Sequence, residues 1–502
     1  MIVRKEHNMK KYILVLDAGT TSIKALVFDR NLELLGMTSQ TMDSIFPGPR
    51  MVEQDPEELY RLVVESGRNV MDKLGISAAE IACAGITNQR TSWLMWDGKT
   101  RKPLCNLITW QDTRGVDYLR ELVTDNEAFH TRFPGMAPLI PAIYTPVSVA
   151  STARKLPQFA EALQKDNVKW GNVDAWLLYN LTGGESFATS GSTAGNSTML
   201  DMPSGMWEAS IAEFMGMRPD MFPEIKEENA FYGTIRADIF GSEIPVYSMS
   251  ADQQAAMFAQ GCFAPNVAKC TNGSGTFVNV NIGEEYKTFG EFYTTIAWKL
   301  NGKISYMFEG NSYTTGSSLE WAQNQMELYG SVEQLDRDAA AVPDSNGVYF
   351  VPALGGLPAP YNDMTARASF MGISPGATRK HFARAVLDSV AFAASDVVTE
   401  FIALGIHIEK LNVSGGVSNS DIVVQLMANL LGREIARPLS VEATGYGSAA
   451  FAATNLGWIS FEEIRDGMKA HTVFLPDRNT ERDRARLAMW KKAVERSLRW
   501  LD

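Results

Sequence analysis

Apolar residues in this chain come in short runs, and glycine-rich polar turns punctuate them. Tyr12–Leu16 and Ile23–Phe28 read as strands on either side of Asp17-Ala18-Gly19-Thr20-Thr21-Ser22, with Asp29-Arg30-Asn31 as the next turn. Val267-Ala268-Lys269-Cys270 and Phe277–Ile282 repeat the pattern around Asn272-Gly273-Ser274-Gly275-Thr276. Two strand–turn–strand units about half a chain apart suggest an internal duplication of weak sequence identity. A third turn, Ser414-Gly415-Gly416-Val417-Ser418, follows the short strand Leu411–Val413 and precedes a helix, where amides at the helix start can face an anion.

Helical spacing is clear in three places. Asp55 caps a helix that has Pro56 at its first position, and Glu58 is expected to complete a capping box. Its apolar face is Leu59, Leu62, Val63, Val70, Met71 and Leu74, and Gly75 ends it. Thr378 opens a second helix with Phe382, Val386, Val390, Val397 and Phe401 inward and Gly405 at its end. Asn419 or Ser420 caps a third over Asp421–Leu431, stopped by Gly432. Alternating strands and helices predict an α/β fold. At 502 residues the chain exceeds one ordinary core, so two large domains are expected, with a boundary near residue 259.

Composition narrows the partners. A net charge of −12 argues against a nucleic-acid partner, which would favour a basic face, although it leaves anionic small substrates open. Cys83, Cys105, Cys262 and Cys270 form no CxxC pair, so reduced thiols and a cytoplasmic setting are expected rather than a zinc ribbon or a disulfide framework. No apolar run approaches the roughly 18 residues of a membrane span. Met1–Lys11 is basic, and the apolar run after it is too short for a signal peptide, so it reads as a loose leader. The five histidines are scattered and make no metal pair.

The candidate chemistry starts at Asp252, in Ser250-Ala251-Asp252-Gln253-Gln254, between the strand-like Ile244–Met249 and a helix-like stretch. A lone acid at such a junction can activate a hydroxyl. With three phosphate-sized turns elsewhere and no metal cage, it points to phosphorylation of a hydroxyl by a nucleotide. Asp17 could hold Mg²⁺ through water. Asn88-Gln89-Arg90-Thr91 and Trp110-Gln111-Asp112-Thr113-Arg114 place polar groups at strand ends, where α/β sites form, and suit several sugar hydroxyls. Neither a Walker loop nor a dinucleotide fingerprint is present.

Tyr12–Thr21, Thr87–Arg90, Trp110–Arg114, Val173–Leu177, Ala251–Ala256, Ala359-Pro360-Tyr361 and Ser414-Gly415-Gly416 together resemble the FGGY carbohydrate kinases, in matching order and over nearly the whole chain. Within that family the pattern is similar to the glycerol kinases. The resemblance implies two ribonuclease-H-like domains of the actin/hexokinase superfamily around a central cleft. Residues 11–258 would bind acceptor and phosphate, and residues 259–490 the nucleotide. It implies ATP and Mg²⁺, with Asp252 as general base and Asp17 and Asp252 facing the metal. Thr20, Thr21, Ser22, Gly273, Ser274, Gly275, Gly316, Glu320, Gly415, Gly416 and Ser420 match nucleotide-binding positions. Arg90, Thr91, Trp110, Tyr144, Asp252, Gln253 and Phe277 match the acceptor pocket. Departures from the glycerol-kinase pattern are Thr91 for Glu, Ser274 for Thr, Glu320 for Gln, Met364 for Pro and Ser420 for Asn.

The expected activity is therefore ATP-dependent phosphorylation of a small polyol or sugar. A ketopentose kinase acting on xylulose or ribulose is the alternative, and an actin-like nucleotide-binding scaffold is the non-enzyme rival. No nucleic acid or membrane partner is expected, and a homodimer or homotetramer is left open.

Overall fold

Each strand–turn–strand repeat forms an antiparallel hairpin, and each hairpin lies inside a separate sheet. The computed structural model describes residues 10–123, 145–288, 292–312, 314–358, 360–438, 442–467, 470–477 and 480–501. The first sheet contains β1 (Tyr12–Ala18), β2 (Ser22–Phe28), β3 (Leu34–Thr41), β4 (Ile81–Asn88), β5 (Gly233–Ile235) and β6 (Ile244–Ala251), in the order β5-β6-β4-β1-β2-β3. β2 runs antiparallel to both of its neighbours β1 and β3, β4 and β6 run parallel to β1, and β5 closes the edge antiparallel.

The second sheet contains β7 (Val267–Asn272), β8 (Thr276–Gly283), β9 (Tyr293–Leu300), β10 (Lys303–Ser312), β11 (Lys410–Ser414), β12 (Ile435–Pro438) and β13 (Ala470–Phe474). Its order is β9-β10-β8-β7-β11-β12-β13. Strand directions from β10 to β13 repeat those from β3 to β5, and β9 is an addition at the edge. The duplication hinted at by two turns is thus a duplication of topology.

Local sequence accounts for the helix limits. Asp55 accepts hydrogen bonds from the Glu57 and Glu58 amides at the start of α1 (Pro56–Leu74), and Gly75 ends it at φ 65°. The expected reciprocal capping box does not close, because the Glu58 carboxylate turns to Arg61 one turn on, at 2.6 and 2.7 Å. α2 (Asp252–Ala259) follows β6, and α3 (Thr315–Asn324) follows β10. α4 (Arg379–Ala403) buries Val386, Val390, Val397 and Phe401, while Phe382 stays half-buried at the rim. α5 spans Asp421–Leu431 as expected, with Gly432 at φ 61°. α4, α5 and the second sheet enclose one large core, and α1 covers a second core on the first sheet.

Chain order and packing do not divide at one place. α6 (Ala443–Asn455) follows β12 but packs on α2 and on β1, β4 and β6 of the first sheet. Phe451 stacks on Phe258 with ring centroids 3.9 Å apart. Among the described residues no helix is long and apolar enough to cross a membrane.

Gly447 is where α6 meets α2 most closely: a Cβ there would lie 1.9 Å from the Ala255 carbonyl oxygen. Gly447→Ala must push the helices apart, at a cost of about 1–3 kcal/mol. The expected result is a lower urea midpoint with an unchanged slope. An unaltered midpoint would mean that the two helices tolerate a wider spacing.

Candidate active site

The side chains of Leu14, Leu16 and Ala18 enter the core under α1, so strand alternation turns Asp17 to the opposite face of the first sheet. Lys24, Asp17, Thr87 and Ser250 pair in register across β2, β1, β4 and β6. Lys24 is drawn off by Glu442 at 2.9 Å. Burial therefore dominates at Asp17 and pushes its carboxyl up to about 7; Lys24 opposes the shift, and the Asp252 and Glu442 charges add to it. The hydroxyls of Thr87 and Ser250 are buried and have no hydrogen-bond partner among the described residues.

Asp252 is the first residue of α2. Its Oδ1 accepts the Gln253 amide at 2.6 Å and lies 3.5 Å from Arg90 Nε. Burial raises its carboxyl above the ordinary range, against the pull of Arg90. Arg90 is held from both halves. It donates to Glu309 Oε2 at 2.7 Å and Oε1 at 3.1 Å, and to Asn196 Oδ1 at 3.3 Å, and its guanidinium lies 6.0 Å from the Phe277 ring centre. Asn279 Nδ2 also donates to Glu309, at 2.6 Å.

Glu309 was not anticipated. Its only signal in the sequence is a lone carboxylate inside the apolar run Tyr306-Met307-Phe308-Glu309-Gly310. Thr91 is buried at φ 64°, a strained conformation for a β-branched residue, and its hydroxyl donates to the Asn196 carbonyl at 3.3 Å.

The cluster around Trp110 splits. Trp110 Nε1 donates to Thr20 Oγ1 at 2.9 Å, and Thr20 donates on to Gln89 Oε1 at 3.1 Å. Trp110 and the Gly19 turn are thereby fastened together. Thr21 is exposed at the tip of that turn, and Ser22 returns the chain into β2, its carbonyl accepting from the Gly19 amide at 3.1 Å. Asp112 and Arg114 do not serve the site. They bind each other at 2.6 Å, and Arg114 also pairs with Glu53 at 2.5 Å, so the expectation that they face sugar hydroxyls is corrected.

On the second sheet, Gly273, Ser274, Gly316, Glu320, Gly416 and Ser420 line a cavity of about 290 Å³. A Cβ on Gly316 would lie 1.8 Å from the Gly273 carbonyl oxygen, so only glycine lets α3 start against that turn. Gly275 and Gly415 shape the wall without lining it. The Gly275 carbonyl closes the turn on the Gly273 amide at 2.9 Å, and Gly415, at φ 88°, passes against the Asn272 backbone. Asp336, also unanticipated, lines the cavity and accepts from Ser420 Oγ at 2.7 Å. Ser420 therefore stands at the start of α5 without capping it. Tyr144 lies outside the described residues.

The second half thus carries an anion-compatible cavity, and the first carries Asp17, Asp252 and an arginine clamped to Glu309 of the second, an arrangement that suits a two-halved phosphotransferase. Residues 12–259 match the FGGY family of carbohydrate kinases, N-terminal domain, and residues 268–456 match its C-terminal domain. The chain is 35% identical over 498 residues to a glycerol kinase of Caldanaerobacter subterraneus subsp. tengcongensis, covering 98% of this chain and 100% of that one. It is 36% identical over 494 residues to glycerol kinase 2 of Thermotoga maritima, covering 98% and 99%. Plasmodium falciparum glycerol kinase, solved with ADP, superimposes with a TM-score of 0.87 at 28% identity, covering 97% of this chain and 98% of that one. A xylulose kinase of Lactobacillus acidophilus shares the fold with a TM-score of 0.85 at 20% identity, over 97% and 98%. The chain belongs to the FGGY family of carbohydrate kinases. It uses ATP to phosphorylate a hydroxyl of a polyol or sugar.

Two stretches that carry the family resemblance are scaffold. Asp174 accepts from Thr189 Oγ1 at 2.8 Å inside the first half, and Tyr361 donates to Asp396 at 2.6 Å inside the second.

The raised carboxyls set a pH dependence. Asp17, displaced upward to about 7, and Asp252, displaced in the same direction, take up protons at higher pH than exposed carboxylates do. If both act as anions, kcat/KM falls as pH falls through about 7, well before the ordinary carboxylate range. A kcat/KM profile that stays level down to about pH 5 would show that neither anion is required.

Proposed function

We propose that the acceptor is a neutral polyol or ketose longer than glycerol, and that Asp252 takes the proton from its reacting hydroxyl. The observation that carries this reading is at Thr91. The resemblance places a glutamate there in glycerol kinases, and here the side chain is a short neutral one tied to Asn196. Glu309, the nearby carboxylate, is committed to Arg90 and Asn279. A threonine at this position gives the wall beside Arg90 and Trp110 one charge fewer and a smaller side chain than a glutamate would, which would leave room for further carbons. The kinship with proteins named glycerol kinase favours glycerol itself as the second reading.

In the proposed reaction ATP lies in the cavity of the second half, with its phosphates between the turns at Gly19–Ser22 and Gly273–Gly275. The hydroxyl attacks in line while Asp252, made a stronger base by burial, accepts its proton. Arg90 keeps Asp252 anionic until then. Closure of residues 11–258 on residues 259–490 would exclude water as a competing acceptor.

Mg²⁺ carried with the phosphates fits the Asp17 corner. Among the described residues the Asp17 carboxylate has no hydrogen-bond donor, and neither its register partner Thr87 nor Thr87's partner Ser250 has a partner for its hydroxyl. Among the described residues no cluster of acids, histidines or cysteines forms a protein cage, which suits an ion that keeps most of its water. Bound there, Mg²⁺ would offset charge on the phosphoryl oxygens.

Asp252→Asn keeps the shape and loses the base, so kcat should fall roughly 10²–10⁴-fold with ATP affinity retained. Near-normal turnover would remove Asp252 from the reaction. The acceptor is tested by kcat/KM for glycerol against erythritol, xylitol, xylulose and ribulose. Wild type should favour a longer acceptor, and Thr91→Glu should move preference toward glycerol by roughly ten- to hundredfold. A wide wild-type preference for glycerol would refute the reading of Thr91.

A further inference from the structure

Lys269 projects from the middle of β7 and is fully buried. Among the described residues no carboxylate lies within ion-pair distance of its Nζ. Its partners are neutral: Gln253 Oε1 at 2.6 Å and Thr271 Oγ1 at 3.0 Å. Burying an ammonium against two neutral oxygens is costly, and the fold has other ways to pack a strand residue. The contact with Gln253 says what the charge achieves. An ammonium can only donate, so the carboxamide oxygen of Gln253 must face Lys269. The –NH₂ group then points the other way, and it has no partner among the described residues. Gln253 is half-buried and directly follows Asp252.

We propose that Lys269 is a positioning residue for the acceptor, holding the Gln253 carboxamide so that its –NH₂ is offered to an oxygen lone pair of the polyol or sugar. This rests on the reading of Asp252 and Gln253 as the acceptor site. The recognised feature is an ether, carbonyl or hydroxyl oxygen beside the reacting hydroxyl. The same lysine joins this site to the nucleotide side, because Thr271 precedes the Asn272–Gly275 turn and its hydroxyl lies 3.2 Å from that of Ser414, which precedes Gly415.

The charge that fixes the carboxamide can be removed by pH. Burial lowers the Lys269 ammonium to about 8, even though Glu309 on β10 and Asp252 on α2 oppose that shift; Arg90, beyond β4, assists it. Cys262, the remaining titratable neighbour, is pushed up to about 12 by burial and stays a neutral thiol. Above about 8 a neutral amine can accept as well as donate, so the carboxamide is free to turn its oxygen outward.

The test uses the full-length enzyme with whichever of glycerol, erythritol, xylitol or xylulose is turned over fastest. In wild type the acceptor KM should rise about tenfold as pH passes through 8, with the ATP KM level. Lys269→Met should raise the acceptor KM by about the same factor at neutral pH, keep kcat within about threefold, and abolish the alkaline rise. In a Gln253→Leu background the same change should alter the acceptor KM no further. An acceptor KM that is level to about pH 10 in wild type overturns the proposal, even if Lys269→Met fails to fold. So does a Lys269→Met enzyme in which kcat falls and neither KM moves, the pattern of a merely structural lysine. If instead Asp252→Asn keeps its turnover, the assignment of the acceptor site falls, whatever Lys269 does.

Discussion

The site depends on how one largely buried guanidinium is satisfied. Arg90 leaves the end of β4 in the first half, and its strongest partner, Glu309, comes from β10 of the second. Removing one member of a buried pair costs about 3–5 kcal/mol, because the other charge is left without a partner. Arg90 therefore has a full complement of hydrogen bonds only when the halves are together. With Nη1 and Nη2 committed to Glu309 and Asn196, Nε is the edge left toward Asp252. The clamp thus fixes the guanidinium plane and limits how much of its charge the carboxylate at α2 receives. That limit explains why burial still raises the Asp252 carboxyl with a cation 3.5 Å away, and a raised carboxyl is the better base.

The parts of the fold that were legible in the sequence are the parts decided locally. The hairpins around Gly19 and Gly273, the caps at Asp55 and Gly75, and the span of α5 each follow from a few adjacent residues. The capping box at Glu58 failed for an equally local reason, since Arg61 competes for the same carboxylate. Glu309 and Lys269 could not be found in this way. Each is a single charge in an apolar strand, and its meaning lies in a residue far away in sequence or on another element. Asp112 and Arg114 show the converse error. Their residue types suit sugar binding, but their charges neutralise each other, and nothing in a linear reading ranks that partner above a ligand. Asp174 and Tyr361 separate family resemblance from chemistry: both lie in stretches that mark the family, and both are consumed in holding one half together.

The duplicated topology assigns equivalent places to unlike chemistry. β1 and β7 lead into the Gly19 and Gly273 turns, so Asp17 corresponds to Thr271, two residues before each glycine. β4 and β11 both run parallel beside those strands; the first leads to Gln89-Arg90 and the second to Gly415-Gly416. The charged members of each matched pair are thus on the first half. The second half keeps neutral hydroxyls and glycines, which let backbone amides approach a polyanion closely without a fixed counter-charge. α2 and α6 are the matched helices after β6 and β12, and they pack on each other at Ala255 and Gly447. A contact between equivalent elements lies near the relation that exchanges the two halves, so a small rotation of one half on the other changes it least. A hinge between the halves would therefore cost least at the contact of α2 with α6.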